Sequence, residues 1–329
     1  MTMIAATTQS FFTERLTKQK QVSQHTVTAY RDTFRLLFGF VKNRTGKPPS
    51  LLTWDDLDIV TITAFLDHLE TERHNNPRTR NARLTAIRSL FAYAALRHPE
   101  HGATIAHVLA IPPKRYVKPT VSFLTDTESA AILAAPDLTT WEGRRDRALM
   151  LLAMQTGLRV SELTNLNCSD ASLGGGAHVR CEGKGRKQRS VPLTKNTENV
   201  LRVWITERNG NPTDPLFPTR TGKRLSRDAI EQRVNRHATT ATTTCISLQT
   251  KKLSPHTFRH TSAMSLLHAG VDTTVIALWL GHADLRSTNP YLHADITIKE
   301  RALALTTPTT TKPGRYKPTD KLLAFLEAL

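Results

Sequence analysis

The decapeptide IPPKRYVKPT, residues 111–120, constrains the fold more than any other stretch of this chain. Pro112, Pro113 and Pro119 stand in it among Lys114, Arg115 and Lys118. A proline ring fixes φ, removes a backbone donor and pushes the residue before it toward extended backbone. Neither a helix nor a central strand continues through such a segment. The chain is therefore expected to fold as two units joined by an exposed basic linker, placed at residues 108–120. A length of 329 residues suits two domains.

Charge narrows the function class. Lysine and arginine number 45 against 28 acidic residues, a net charge of +17. A polyanion is the expected partner, nucleic acid ahead of an anionic membrane. No run approaches about 18 uninterrupted apolar residues, so no membrane span is expected. The N-terminus lacks a basic segment followed by an apolar one, so no signal peptide is expected. Cys168, Cys181 and Cys245 are odd in number and form no CxxC pair. A disulfide framework or structural zinc is not expected, and a reducing cytoplasm fits.

Before the linker the periodicity is helical. Ser23 caps a helix with Val27, Tyr30, Phe34, Leu37 and Val41 on one stripe, stopped at Gly46. A second helix is expected between Thr61 and Arg73, with Ile62, Phe65, Leu66 and Leu69 inward. Asn76 and Pro77 open a third, whose outer side carries Arg78, Arg80, Arg83 and Arg88. Arg78, Arg80 and Arg83, with the linker's Lys114, Arg115 and Lys118, are candidate DNA contacts.

After the linker, Thr125 and Glu128 read as a capping box, and Gly157 as a helix stop. HVRCEGKGRKQRSVPL reads as strand, turn and strand. Helices are expected over 196–208, 226–238, 255–269 and 273–280, with Thr239–Thr244 a loop. The tail holds a proline-broken tether, 306–318, then a short helix with Leu322, Leu323, Leu326 and Leu329 on one face.

Four islands carry chemistry. In TGLRVSEL, Arg159 sits at a helix junction with Glu162 three residues on and Ser161 starting the next helix. In GKGRKQR, Lys184 lies between two glycines at a hairpin tip, followed by Arg186, Lys187 and Arg189, which suit DNA phosphates. In SPHTFRHTSA, His256 and Arg259 share a face near a helix N-terminus, a natural anion site, while His260 is adjacent and points elsewhere. In LGHADLRSTNPY, His282 follows a helix-ending glycine, and Tyr291 comes nine residues later. Guanidinium forks, proton-carrying side chains and a tyrosine nucleophile together suit phosphoryl transfer. No acidic cluster is present to hold Mg²⁺, and the histidines lack the HExxH spacing of a zinc site.

In order and local wording, these islands resemble the tyrosine recombinase, or phage integrase, family and its Xer-like branch. The resemblance is strong over 121–305 and looser over 8–107. It implies a mainly α fold with a small β-sheet. Residues 1–107 would form a helical, SAM-like core-binding domain and 121–305 an α+β catalytic domain. Residues 306–329 would carry a tethered helix that docks on a neighbouring subunit. It implies that Tyr291 attacks the scissile phosphate to form a 3′-phosphotyrosyl bond, that Arg159 and Arg259 clamp the nonbridging oxygens, and that Lys184 protonates the leaving 5′ oxygen. His256 would assist proton transfer, His282 would hydrogen-bond the phosphate and Glu162 would orient its neighbours. Neither cofactor, metal nor ATP is implied. Double-stranded recombination sites are the implied partner, held by a homotetramer on two duplexes or with a related recombinase, in the cytoplasm at the nucleoid. The expected role is integration or transposition of a mobile element. Replicon dimer resolution, a type IB topoisomerase and an inert DNA-binding regulator are the alternatives.

Overall fold

A computed structural model describes residues 4–117, 121–183, 187–282, 287–288 and 290–291. The tail expected to carry a tethered helix lies outside the described residues. The chain divides into two compact units, residues 1–118 and 119–329.

The first unit is helical. Helix α1, Ile4–Ser10, runs on into a π-helical stretch, Phe11–Gln19, which the sequence pattern did not disclose. Helix α2, Gln24–Thr45, starts where the Ser23 hydroxyl accepts the Thr26 N–H and stops at Gly46, whose φ of 73° is left-handed. Helix α3 is Ile59–Thr71, capped by Asp58. Helix α4, Pro77–Ala95, opens as expected on Asn76, whose side chain accepts the Thr79 N–H at 2.8 Å. The apolar stripes meet in one core holding Phe34, Leu37, Val41, Phe65, Leu66, Leu84 and Phe91, with Phe11 and Trp54.

Three expectations for this unit need correction. A further helix, α5, Gly102–Ala110, buries Ile105 and Val108, and Ile111 still packs in the core. The linker therefore cannot start at 108. Its first basic residue is also strapped down: Lys114 exchanges backbone hydrogen bonds with the Asn81 side chain and sends its ammonium to Glu70 at 3.0 Å. Finally, Arg80 is only 8% exposed, with Glu70 3.9 Å away, so it does not belong to the outer face of α4.

The second unit is a helical assembly around a small sheet. Helix α6, Asp126–Ala134, begins on the expected Thr125–Glu128 capping box. Helices α7, Trp141–Thr156, and α8, Val160–Asn165, follow. Strand β1 is Ala171–Ser172, β2 is His178–Glu182 and β3 is Gln188–Pro192, in antiparallel order β1-β2-β3. Val179, Cys181 and Val191 turn inward. The remaining helices are α9, Lys195–Arg208; α10, Arg227–Ala241; α11, Pro255–His268; and α12, Thr273–Leu280. Helix α10 takes in Thr239 and Thr240, which were expected in a loop; each hydroxyl bonds the carbonyl four residues back, and Ala241 is buried. The fold is mainly α with a three-stranded sheet.

Candidate active site

The site assembles where α7 ends, α8 and α11 begin, and α12 ends. Helix α7 stops at Gly157 in left-handed conformation, φ 64°. The chain reverses, and Arg159 becomes the N-cap residue of α8, so the helix starts at Val160 and not at Ser161. Carbonyls at a helix C-terminus lack intrahelical donors and mark the negative end of its dipole. Both arginines exploit this. Arg259 donates from Nη1 to the Gly157 carbonyl and from Nη2 to the Leu280 carbonyl, each at 2.7 Å. Arg159 donates from Nη2 to the Gly281 carbonyl at 3.0 Å. Two guanidinium groups of like charge are thereby held in one place. Burial, followed by the Arg159 charge, lowers the Arg259 guanidinium to about 10.

Glu162 supports Arg159 from below. Its Oε2 accepts the Arg159 backbone N–H at 2.8 Å and its Oε1 the Arg159 Nη1 at 2.9 Å. The same carboxylate takes a two-pronged contact from Arg189. Burial works to raise the Glu162 carboxyl, but the Arg189 hydrogen bonds and the two charges hold it below its ordinary value. Arg189 also donates from Nε to the Trp279 carbonyl at 3.0 Å, and its side chain is 14% exposed. It was expected on DNA phosphate; the register corrects that. Arg189 pairs with Cys181 and so faces the same side of the sheet as buried Val191.

Tyr291 is 3% exposed and packs with Ala263, Met264, Ile276 and Leu280 of α11 and α12. Burial pushes its phenol up, while the Arg259 and Arg159 charges oppose that. Its ring stacks on His282 at 6.4 Å between centroids. His282 Nδ1 is 2.8 Å from the Thr288 hydroxyl, and Tyr291 N–H donates to the Thr288 carbonyl at 3.1 Å. Thr288 is thus a brace that the sequence reading missed. Burial and then Arg259 lower His282 to about 4.

The second omission is His260. Its Nδ1 lies 3.1 Å from the Tyr291 hydroxyl, and its ring stacks on His256 at 5.4 Å. The signal was present: His256 and His260 are four apart and must share a helix face. His256 itself is exposed and lines a cleft of about 260 Å³ with Arg159, Ser161, Arg227 and Ser254. Among the other candidates, Arg78, Arg115 and Lys187 are exposed and Arg83 is half-buried. Lys184, Arg186 and Lys118 lie outside the described residues. Among the described residues, no three His, Cys, Asp or Glu side chains gather as metal ligands.

Residues 122–297 match the phage integrase family, and residues 10–98 match the phage integrase N-terminal SAM-like domain. The chain belongs to the phage integrase family. It is 49% identical to the putative integrase/recombinase y4rC of Sinorhizobium fredii over 99% of this chain and 98% of that one. It is 33% identical to tyrosine recombinase XerD of Pseudomonas putida over 86% and 91%. The structure of the XerH site-specific recombinase bound to palindromic difH substrate superposes with a TM-score of 0.67 at 23% identity, over 85% of this chain and 79% of that one. At that identity the likeness concerns the fold. As a tyrosine recombinase the chain is an enzyme of DNA cleavage and rejoining, with DNA as its partner. Among the described residues, no helix is long and apolar enough to cross a membrane.

Proposed function

We propose that this tyrosine recombinase exchanges DNA strands between two specific sites, with Tyr291 as its nucleophile. The observation that carries the reading is Tyr291, buried, its phenol under the charges of two arginines whose forks are anchored on helix C-termini. The Tyr291 oxygen attacks the scissile phosphorus, and the bond from phosphorus to the 5′ oxygen breaks. Arg159 and Arg259 stabilise the charge that gathers on the nonbridging oxygens, the effect that usually contributes most in such reactions. Lys184 protonates the leaving oxygen. His282 hydrogen-bonds the phosphate, His256 assists proton transfer, and Glu162 keeps Arg159 oriented. The phosphotyrosyl bond conserves the energy of the phosphodiester, so a 5′-hydroxyl from a partner duplex rejoins the strand without ATP.

A tetramer would hold two duplexes, with residues 306–329 reaching a neighbouring subunit. Exposed Arg78, Arg115 and Lys187, with Arg186 and Lys118, would neutralise DNA phosphates. The 49% identity to a putative integrase/recombinase, against 33% to XerD, favours a mobile-element role over replicon dimer resolution.

Covalent trapping tests the reading. Wild type and Tyr291→Phe are incubated without Mg²⁺ with nicked duplexes from the flanks of the gene and from a randomised pool. A denaturation-resistant adduct in wild type alone supports the assignment. An adduct that survives Tyr291→Phe removes Tyr291 as nucleophile. Relaxed circles in place of joined segments would mark a topoisomerase, and binding without any adduct a regulator.

A further inference from the structure

Cleavage by a tyrosine demands that the phenolic proton leave as the oxygen bonds to phosphorus. Tyr291 is enclosed by apolar side chains, so bulk water is a poor recipient. An imidazole nitrogen lies at hydrogen-bond distance from its hydroxyl: Nδ1 of His260, at 3.1 Å. The two rings meet edge to face, 5.6 Å between centroids.

We infer that His260 is the general base of the reaction, accepting the Tyr291 proton on Nδ1 during cleavage and returning it during rejoining. The inference rests on Tyr291 as the nucleophile. In cleavage the Oη–H bond breaks, the Oη–P bond forms and the P–O5′ bond breaks. The tyrosine proton goes to Nδ1, while the 5′ oxygen takes a separate proton from the general acid. In rejoining, the incoming 5′-hydroxyl attacks phosphorus, and the departing Oη takes back the proton from His260.

The electrostatic setting keeps the ring unprotonated before substrate arrives. Burial, then the His256 and Arg259 charges, lower His260 to about 4, so its ring is neutral near pH 7 and Nδ1 can present a lone pair. The groups acting on it come from its own helix, His256 and Arg259, and from the facing segment, Tyr291 and His282. An arriving phosphate adds negative charge beside Arg259 and Arg159. That offsets the repulsion which keeps the ring neutral, so proton affinity rises when substrate is present.

The test uses the full chain and nicked duplexes captured by the wild type from a randomised pool. Single-turnover cleavage is compared for wild type, His260→Ala and His260→Asn, with DNA affinity measured alongside. Asparagine places a hydrogen-bonding atom near the Nδ1 position but is not basic. Loss of about 100-fold or more in rate for both variants, at unchanged affinity, supports a base. A 5′-bridging phosphorothiolate, whose sulfur leaves without an acid, restores cleavage to a variant lacking the acid but not to His260 variants. An asparagine variant as fast as wild type, or rescue of it by the thiolate, overturns the inference. If the variants do not fold, imidazole ¹⁵N spectra of wild type and Tyr291→Phe decide: unchanged His260 resonances overturn it, and loss of the acceptor signature at Nδ1 supports it. Failure of the wild type to capture any duplex instead refutes Tyr291 chemistry itself.

Discussion

Arg189 and Glu162 form a fork-to-fork ion pair beneath Arg159, with Nη1 to Oε1 at 3.0 Å and Nη2 to Oε2 at 2.9 Å. Two cations from distant parts of the sequence therefore share one carboxylate that is 3% exposed. A buried pair of this kind is costly to break, because the surviving charge stays desolvated.

Glu162→Gln is accordingly expected to lower stability by about 3–5 kcal/mol, read as a shift in the urea midpoint. Arg189→Lys is expected to be destabilising as well, since a single ammonium does not reproduce the two-pronged contact. An Arg189→Lys protein with wild-type stability would remove this pair from the account of the site.

Gly157 makes the left-handed turn on which the site is built. At φ +64° an added Cβ would lie 2.6 Å from Leu280 Cδ2 and 3.0 Å from Ser262 Oγ. Its carbonyl anchors Arg259. Gly157→Ala is expected to cost about 1–3 kcal/mol and to slow adduct formation more than it weakens DNA binding. Equal losses in both would separate Gly157 from Arg259 positioning.

Acid should destabilise the fold below neutrality. His260 and His282 each titrate near 4 when folded, against an ordinary 6.5. Between those values the unfolded chain binds protons that the folded chain refuses, so stability falls as pH drops from about 6.5 toward 4. Glu162 acts in the same direction at the low end, because its lowered carboxyl contributes stability only while ionised. Thermal midpoints across this range are expected to fall, and His282→Asn to flatten the curve. A flat wild-type profile would contradict it.

With a net charge of +17, DNA affinity should drop steeply with salt. Six to ten phosphate contacts correspond to roughly 10³–10⁵ in affinity between about 50 and 200 mM. Exposed Lys187, if it meets a phosphate, should reduce the slope by about one when changed to alanine. Filter binding or anisotropy over a salt series reads this directly, and an unaltered slope removes Lys187 from the interface.

Much of the architecture was legible because it is local. Caps at Ser23, Asn76 and Thr125, and glycine stops at Gly46 and Gly157, act within one turn of their own helices. Apolar spacing disclosed α2, α3 and α4 for the same reason. Helix α5 is hard to read in the sequence because its nine residues run directly into the proline segment. Periodicity alone does not place Arg80, because a long side chain can fold back over the stripe of its own helix.

The order of charged, imidazole and phenolic residues along the chain determined the chemistry by itself, since residue identity sets what each group can donate or accept. Tertiary structure decided which of them meet. Strand register turned Arg189 inward to Glu162, a matter of pairing that depends on a hairpin and not on composition. The packing of Tyr291 against α11 and α12 brought its hydroxyl to His260, thirty-one positions away in sequence. Such contacts are set by the three-dimensional closure of a core, and periodicity along a chain carries no record of them.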